Sequence, residues 1–557
     1  MATTSNQHYP LVSAVRPSKG RYPSSNETYR QVALLLLYMN IVVAYQWFSQ
    51  AYTLPFGGDS DEPAHYVTSL MVRDYIRTGF PQSPLAFAEQ FYVHYPAVAF
   101  GMWGPMLHVI GGAWMAIFSA SRLSIMLLIA TLSATFAWSA QWVSRRTFGS
   151  LAGLLVGLGV CLIPAFQAYS TMVMADILTG TFMLWAAYWW SRYLENGRLS
   201  TSVVFGVLAG LALLTKANAG ALALMPLPAT VLAGRSDLLR RRSFWIPPGI
   251  VAVLAGPWLI FYASLMAHVT RVPTTPSIAY RYLLHSFGIF GVLTIPFVLA
   301  GMGGLLFGKG GAPGGRPLWA VSVSMLLGFI LYHCLVPGGF ESRYVLMIAP
   351  WVAVLLISGA ALSGLWLPVF IHSGFPVVLL ASVVAYGAAT IRIPAKTQLP
   401  YSQVAADLVG RTNLPQSVFL FSSESAVETA FVAEVAMRDK RPNHFVLRGS
   451  KMLARMNWNG NRYENRAGDE TQVRERLGAW GVSRVIIDTT PGATPWPHHR
   501  LLRKAVSEAP EWRLTRRYGS SVEVYEFLGT AKLPDRIEVD VPYTLRRSLT
   551  APVMRRP

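Results

Sequence analysis

The feature that most constrains this chain is a succession of apolar runs, each near the length needed to cross a bilayer. A helix spans about 30 Å of hydrocarbon with about 20 mostly apolar residues. Such windows occur at roughly 31–54, 98–118, 121–142, 151–171, 177–193, 202–233, 244–266, 283–307, 317–335, 344–363 and 367–388. Only 13% of the 557 residues are charged, against about 25% in soluble domains. The expected fold class is therefore a multi-span α-helical membrane protein. The 202–233 window is too long for one crossing and carries Thr215-Lys216 near its middle, so it reads as two short spans joined at a surface.

The formal charge is +20. With no nucleic-acid motif in view, that excess reads as Lys and Arg flanking membrane spans rather than as a nucleic-acid surface. The clusters are the polar N-terminal tail with Arg16, Lys19, Arg21 and Arg30, then Arg145-Arg146, Arg192 with Arg198, Arg235 with Arg240-Arg241-Arg242, and Lys309 with Arg316. All fall on one side if 98–118, which contains Trp103, Gly104, Pro105 and His108, is embedded or interfacial without crossing. The positive-inside tendency then gives about 11 spans. It also gives a cytoplasmic tail at 1–30, a membrane domain at 31–391 with an external loop at 55–97, and an extracytoplasmic domain from 392 to 557. That external side also receives Asp176, Lys216 and the 267–282 and 336–343 loops. Cys161 and Cys334 both sit in apolar runs and read as small buried hydrophobes, not as a disulfide or metal site.

Beyond Ile391 the composition turns soluble. SVFLFSS (417–423) and RVIID (484–488) read as buried strands and VEVYEFL (522–528) as a half-buried one, while QVRERLGAWG (472–481) and LLRKAVSEAP (501–510) read as short helices. The alternation predicts a compact α/β domain. It contains no Gly-rich phosphate loop, which argues against a nucleotide site. His498-His499 reads as a surface turn after Pro495 and Pro497 rather than a metal pair.

The stretch PFGGDSDEPAHY (55–66) places Asp59, Asp61 and Glu62 within four residues, directly after the first apolar run. Acids at the mouth of so apolar a chain mark either a functional site or a solvated loop. Asp176 lies at the outer end of a helix, where it is either functional or an acid stabilised by the helix dipole. Lys216 and Arg343 are cations beside apolar spans on the same face. Arg offers a bidentate fork for phosphate, and the competing reading of Lys216 is a side chain snorkelling to the interface. Arg271 and Arg281 flank an external loop and are weaker candidates.

Five segments in order, DEPAHY (61–66), HYPAVAFGMWGP (94–105), MADILTG (174–180), LAGLALLTKANAG (208–220) and ESRYVLMIAP (341–350), together resemble the GT-C superfamily of polyprenyl-phosphate-sugar-dependent glycosyltransferases. Within it the likeness is to glycosyltransferase family 39 and the RgtA/B/C/D-like group, relatives of protein O-mannosyltransferases and of the lipid A aminoarabinose transferase. The resemblance implies a GT-C membrane fold with interfacial helices and a C-terminal soluble domain. It implies an inverting transfer in which Asp61 is the general base or substrate-positioning carboxylate, since an attacking hydroxyl must lose a proton. Glu62 either shares that role or holds its neighbour in place, and Asp59 competes for it. By the same resemblance Asp176 is the second acid, and Arg343, Lys216 and Tyr344 bind the donor phosphate. Some relatives hold a divalent ion with a carboxylate and a histidine; His65, Glu89 and His94 would be the ligands here, against a reading as interfacial histidines bonded to backbone or water. No other cofactor is expected.

The implied partners are a polyprenyl-phosphate sugar donor, an acceptor lipid, glycan or protein, and membrane lipids, with no nucleic acid. The implied location is multi-pass in a bacterial inner (plasma) membrane. A flippase for lipid-linked sugars would show internal repeats and polar groups near the midplane, and no clear repeat is present. A non-catalytic envelope assembly component is the third reading, and it requires a dispensable acidic loop.

Overall fold

Among the described residues of the computed structural model, four helices are long and apolar enough to cross a bilayer: Ser25–Phe48 (α1), Arg122–Phe148 (α5), Arg242–Leu265 and Arg316–Leu335. At 1.5 Å per residue even the shortest, with 20 residues, reaches about 30 Å. Shorter apolar helices accompany them, among them Met106–Ile117 (α4), Ser150–Leu162 (α6), Leu199–Leu213 (α9), Ala349–Ser363 and Phe375–Ala389. The structure describes residues 25–266, 281, 291, 294–304, 315–336, 341–364, 374–410, 416–456, 463–490, 496–541 and 547–553. The first part of the N-terminal tail, Arg271 with the rest of the 267–282 loop except Arg281, most of 283–307, Lys309 and positions 337–340 lie outside these residues.

Two contacts fix the direction of the early helices. At one end Arg145, near the end of α5, pairs with Glu27 in the first turn of α1. At the other, Arg122 Nη1 donates to Thr53 O (3.1 Å), just past α1. The two helices therefore run antiparallel over their full length, and α4, at 12 residues, is about 18 Å long and does not cross. Arg235 donates to Leu194 O and Arg316 Nε to Leu232 O (2.8 Å), so the later basic clusters also gather at turns between helices. The 202–233 window breaks where expected. Helix α9 ends at Leu213, and Lys216 opens a 3₁₀ turn (Ala217–Leu224) that leads into Pro226–Leu232.

The 55–97 stretch, expected as a loop, is largely helical. It folds into α2 (Glu62–Arg77), with Pro63 in its first turn, and α3 (Pro84–His94), capped by Ser83, whose hydroxyl accepts from Ala86 N (3.3 Å). Helix α2 lies against α4 through glycines. A Cβ at Gly111 would stand 2.8 Å from Ser69 Oγ, and one at Gly112 would stand 2.6 Å from Val72 Cγ1. The approach just before α4 is closer still, because a Cβ at Gly104 would meet Leu214 O at 1.9 Å, beside the bond from Met106 N to Leu214 O (3.0 Å). Gly104→Ala must therefore part the 103–106 turn from the residues leading to Lys216, at about 1–3 kcal/mol for overpacking. Thermal unfolding of the purified protein should show that loss, while Gly57→Ala, where a Cβ meets nothing within 4 Å, should change little; equal midpoints would refute the contact.

The C-terminal part carries a five-stranded sheet in the order β2-β1-β5-β7-β6. Its strands are β1 (Val418–Ser422), β2 (Phe445–Arg448), β5 (Val482–Asp488), β6 (Trp512–Tyr518) and β7 (Val522–Phe527). The first three in the sheet are parallel, with Phe419 opposite Val446 and Leu420 opposite Val485, and β7 and β6 add antiparallel. Strand β1 is buried at every residue, which is why it reads as an unbroken apolar run rather than an alternating one. The small pairs β3–β4 (Ala454–Arg455, Glu464–Asn465) and β8–β9 (Arg536–Val541, Arg547–Pro552) complete the domain. One expectation fails here. His498 and His499 are buried, not in a surface turn, because Pro497 starts a helix (Pro497–Ser507) whose first turn packs inward, with His499 Nδ1 3.0 Å from Ser422 Oγ.

One hydrophobic core joins α2 and α3 to this domain. Phe56, Tyr66, Phe91 and Tyr95 share it with Tyr401, Phe421, Phe431 and Phe445. Polar ties cross the same boundary. Arg122 pairs with the fully buried Glu434, Tyr95 OH donates to Asp439 Oδ2 (2.6 Å), and Arg441 Nε donates to Asp74 Oδ2 (2.7 Å).

Candidate active site

Four separate pieces of the chain meet at the end of the helix bundle opposite Arg145. The turn before α2 supplies Asp59 and Asp61. The start of α8 (Asp176–Asn196) and the end of α9 supply Asp176 and Lys216. The 3₁₀ turn Ser342–Met347 supplies Arg343 and Tyr344.

Arg343 spans the first pair of acids, with Nη1 3.2 Å from Asp59 Oδ2 and Nη2 3.2 Å from Asp61 Oδ2. Lys216 Nζ donates to Asp176 Oδ1 at 2.7 Å, with Asp176 fully buried and Lys216 nearly so. Tyr344 joins the two pairs, its ring centre lying 4.8 Å from Lys216 Nζ and 5.7 Å from the Arg343 guanidinium carbon, while Tyr169 flanks Arg343 at 5.7 Å. Snorkelling of Lys216 is thereby overturned, since its ammonium is turned inward onto Asp176. Within this group of side chains, two buried polar atoms have no hydrogen-bond partner among the described residues: Arg343 Nε and Asp176 Oδ2. One is a donor and the other an acceptor, so the site retains bonding capacity that its own ion pairs do not use.

Asp61 keeps 25% of its side chain exposed, the most open of these acids. Burial pushes its carboxyl above the ordinary Asp range, Arg343 pulls the other way, and Asp59 adds to the rise. Glu341, which sequence reasoning passed over although it begins the ESRY segment, is also pushed up by burial and lies in the field of Arg343, Asp59, Lys216 and Asp61. A carboxylate that holds a proton more readily than usual, beside cations, is suited to take one from a neutral hydroxyl.

Of the two roles open to Glu62, sharing the base or holding its neighbour in place, its contacts fit the second. It is fully buried, its Oε2 accepts from Gly57 N and Gly58 N (3.0 Å each), and its Oε1 accepts from Val173 N (3.3 Å) and Lys396 Nζ (2.6 Å). With both oxygens engaged it has no capacity for a substrate proton. Instead it ties the acidic turn to the segment before Asp176 and to the linker that leads into the C-terminal domain. Lys396 carried no sequence signal, being one cation in a stretch with no motif. Breaking such a buried pair from one side costs about 3–5 kcal/mol, so Lys396→Met should lower the unfolding midpoint sharply and Lys396→Arg much less. A Lys396→Met protein that melts like the wild type would remove Glu62 from this role.

The three residues proposed as metal ligands do not converge. His65 pairs with His108 (Nδ1 to Nε2, 3.0 Å) under Trp103. Glu89 pairs with Arg547. His94 stacks on Phe445 and places Nδ1 3.1 Å from His444 O, and burial pushes its imidazole down to about 4. No group of three or more His, Cys, Asp or Glu placed to hold a metal occurs among the described residues. The spacing in sequence misled because α2 and α3 turn these side chains toward different neighbours. Of the nine candidates, Asp61, Asp176, Lys216, Arg343 and Tyr344 form one constellation, Glu62 stands behind it, His65 pairs with His108, and Glu89 and His94 face the C-terminal domain.

A set of acids and cations, most of them buried, thus lies at the end of a helical bundle, and a sheet-containing domain packs over the same end. Residues 103–261, which include Asp176 and Lys216, match the family model described as dolichyl-phosphate-mannose-protein mannosyltransferase. The fold is similar to that of ArnT from Cupriavidus metallidurans bound to undecaprenyl phosphate, with a TM-score of 0.58 and 12% identity over 90% of this chain and 99% of that one. It is likewise similar to the same protein in the apo state, with a TM-score of 0.59, 12% identity and the same coverage. No curated protein sequence matches the chain.

Proposed function

We propose that this protein is a glycosyltransferase that moves one sugar, with inversion, from a polyprenyl-phosphate carrier to a hydroxyl of an acceptor lipid, glycan or protein. On this reading it lies in a bacterial inner membrane with the 1–30 tail cytoplasmic and residues 392–557 outside, and the site opens on the external face. The observation that carries the reading is the meeting of Lys216 and Arg343 around Tyr344, beside an Asp61 whose carboxyl is raised.

The chemistry follows from those groups. The acceptor oxygen attacks the anomeric carbon while the bond from that carbon to the phosphate oxygen breaks. The hydroxyl proton passes to Asp61, and the carrier leaves as a phosphate anion. Arg343 offers its unused Nε–H and Lys216 its charge to that anion, where fixed cations in a desolvated site are worth most. Phosphate leaves without a strong acid, so one base and two cations suffice. Asp176 holds Lys216 with one oxygen and presents the other to a sugar hydroxyl. No step is assigned to a metal, because His65, Glu89 and His94 are held apart.

The test is sugar release from a radiolabelled panel of polyprenyl-phosphate sugars by the purified protein in lipid. Turnover of one donor is expected and names it. Silence on every donor would end this reading and leave a carrier or an assembly component.

A further inference from the structure

A second cavity, of about 300 Å³, lies between the far end of α2, helix α3 and the C-terminal domain, with Arg73, Asp74, Arg77, Phe87, Phe91 and Arg441 in its wall. It is not the transfer site. Helix α2 has 16 residues, so at 1.5 Å per residue Asp61 at one end and Arg77 at the other are about 24 Å apart.

Its charge is unbalanced. Arg73 and Arg441 share the single carboxylate of Asp74, and Arg77 is exposed, with Nη2 given to Ala116 O (3.0 Å). Three guanidinium groups thus face one acid. Arg73 Nε is buried and has no hydrogen-bond partner among the described residues. Guanidinium forks clustered in this way suit phosphate better than any neutral ligand.

The rim is apolar and open. Phe87 of the wall touches Tyr75, which touches Phe80 (ring centres 5.2 and 5.0 Å apart), and Phe80 is 61% exposed. The carbonyl that Arg77 binds immediately precedes Ile117 and Phe118, which are 74% and 60% exposed. These residues end α4, the apolar helix too short to cross. A basic pocket with such a border matches an amphiphile whose phosphate enters and whose chains stay in the bilayer surface.

We propose that this cavity binds the phosphate headgroup of an anionic membrane lipid, at a site separate from the donor site. The C-terminal domain supplies one wall through Arg441, so the lipid also bridges that domain to the external helices.

The test uses the full-length protein in nanodiscs containing a photoactivatable phosphatidylglycerol or, separately, a photoactivatable phosphatidylcholine. Adducts are mapped by peptide. Labelling of peptides covering 73–91 and 441–442 by phosphatidylglycerol is expected, with phosphatidylcholine labelling them at least about 10-fold less. The double variant Arg73→Gln, Arg77→Gln should lower the phosphatidylglycerol signal about 10-fold, as loss of charge-assisted bonds requires. Because Arg73 also bonds Asp74, the single variant Arg77→Gln, with its exposed side chain, is run beside it and should lower the signal too. Equal labelling by both lipids, or an unchanged signal in both variants, overturns the proposal. Loss of the signal on adding 10 mM inorganic phosphate, with no preference between the lipids, assigns the pocket to soluble phosphate and overturns its lipid source. None of these readouts depends on sugar transfer, so failure of the transferase reading leaves them unaffected.

Discussion

Asp61→Asn is expected to slow transfer about 100-fold or more on the donor that the panel identifies, the lower range for losing a positioned acid–base group. The substitution keeps the size of the side chain and its contact with Arg343 Nη2 while removing the basic electron pairs. The wild-type rate should also fall on acidification, and the sign is fixed by the shift. Burial raises the Asp61 carboxyl, so the base is protonated, and activity lost, at a pH above that of an ordinary Asp, near 4. The acid limb of kcat/KM should vanish in Asp61→Asn. If the variant keeps the wild-type rate and the limb, the proton goes elsewhere, and Asp59 on the other arm of Arg343 is the next group to change.

The second large effect is expected at Arg343. Arg343→Gln strips the counter-charge from Asp59 and Asp61 together and removes the Nε–H and the positive charge proposed to meet the leaving phosphate. A preorganised donor of this kind is worth about 100- to 1,000-fold in kcat. Arg343→Lys should recover only part of that, because an ammonium cannot bridge two carboxylates and still offer a third N–H in the same plane. The discriminating measurement is the pair of kcat and KM values: a rise in KM alone, with kcat untouched, would show that Arg343 only binds the carrier and does not stabilise its departure.

Helices that face lipid were legible in the sequence and those that face protein were not, for a physical reason. The windows at 31–54 and 244–266 are predominantly apolar because hydrocarbon demands it, and they reappear as Ser25–Phe48 and Arg242–Leu265, of which only 22% and 17% is buried inside the protein. Helices α2 and α3 were hidden inside the stretch taken as a loop. Their apolar sides are matched to residues such as Phe431 and Phe445, more than 300 positions later, and no local pattern reveals a partner that distant. The site divides the same way. Asp61, Asp176, Lys216 and Arg343 stood out because charge in an apolar chain is costly. The roles of the adjacent acids Asp61 and Glu62 could not be told apart, since the turn before α2 alone decides which side chain points outward and which points to Lys396. The metal reading erred by treating nearness along the chain as nearness in space.

The core shared between α2, α3 and the C-terminal domain sets a timetable for synthesis. Arg122 and Glu434 are 312 residues apart, and Tyr95 and Asp439 are 344 apart. At about 5–20 residues per second, the first partner of each pair waits on the order of 15–70 s before the second is made. During that interval Phe56, Tyr66 and Phe91 have no domain to cover them, and the acidic turn lacks Lys396 and Arg343. The nascent protein thus carries its acidic turn in an unfinished state until translation is well past residue 440, and whatever shelters that surface in the meantime, lipid or chaperone, is part of how the protein is made.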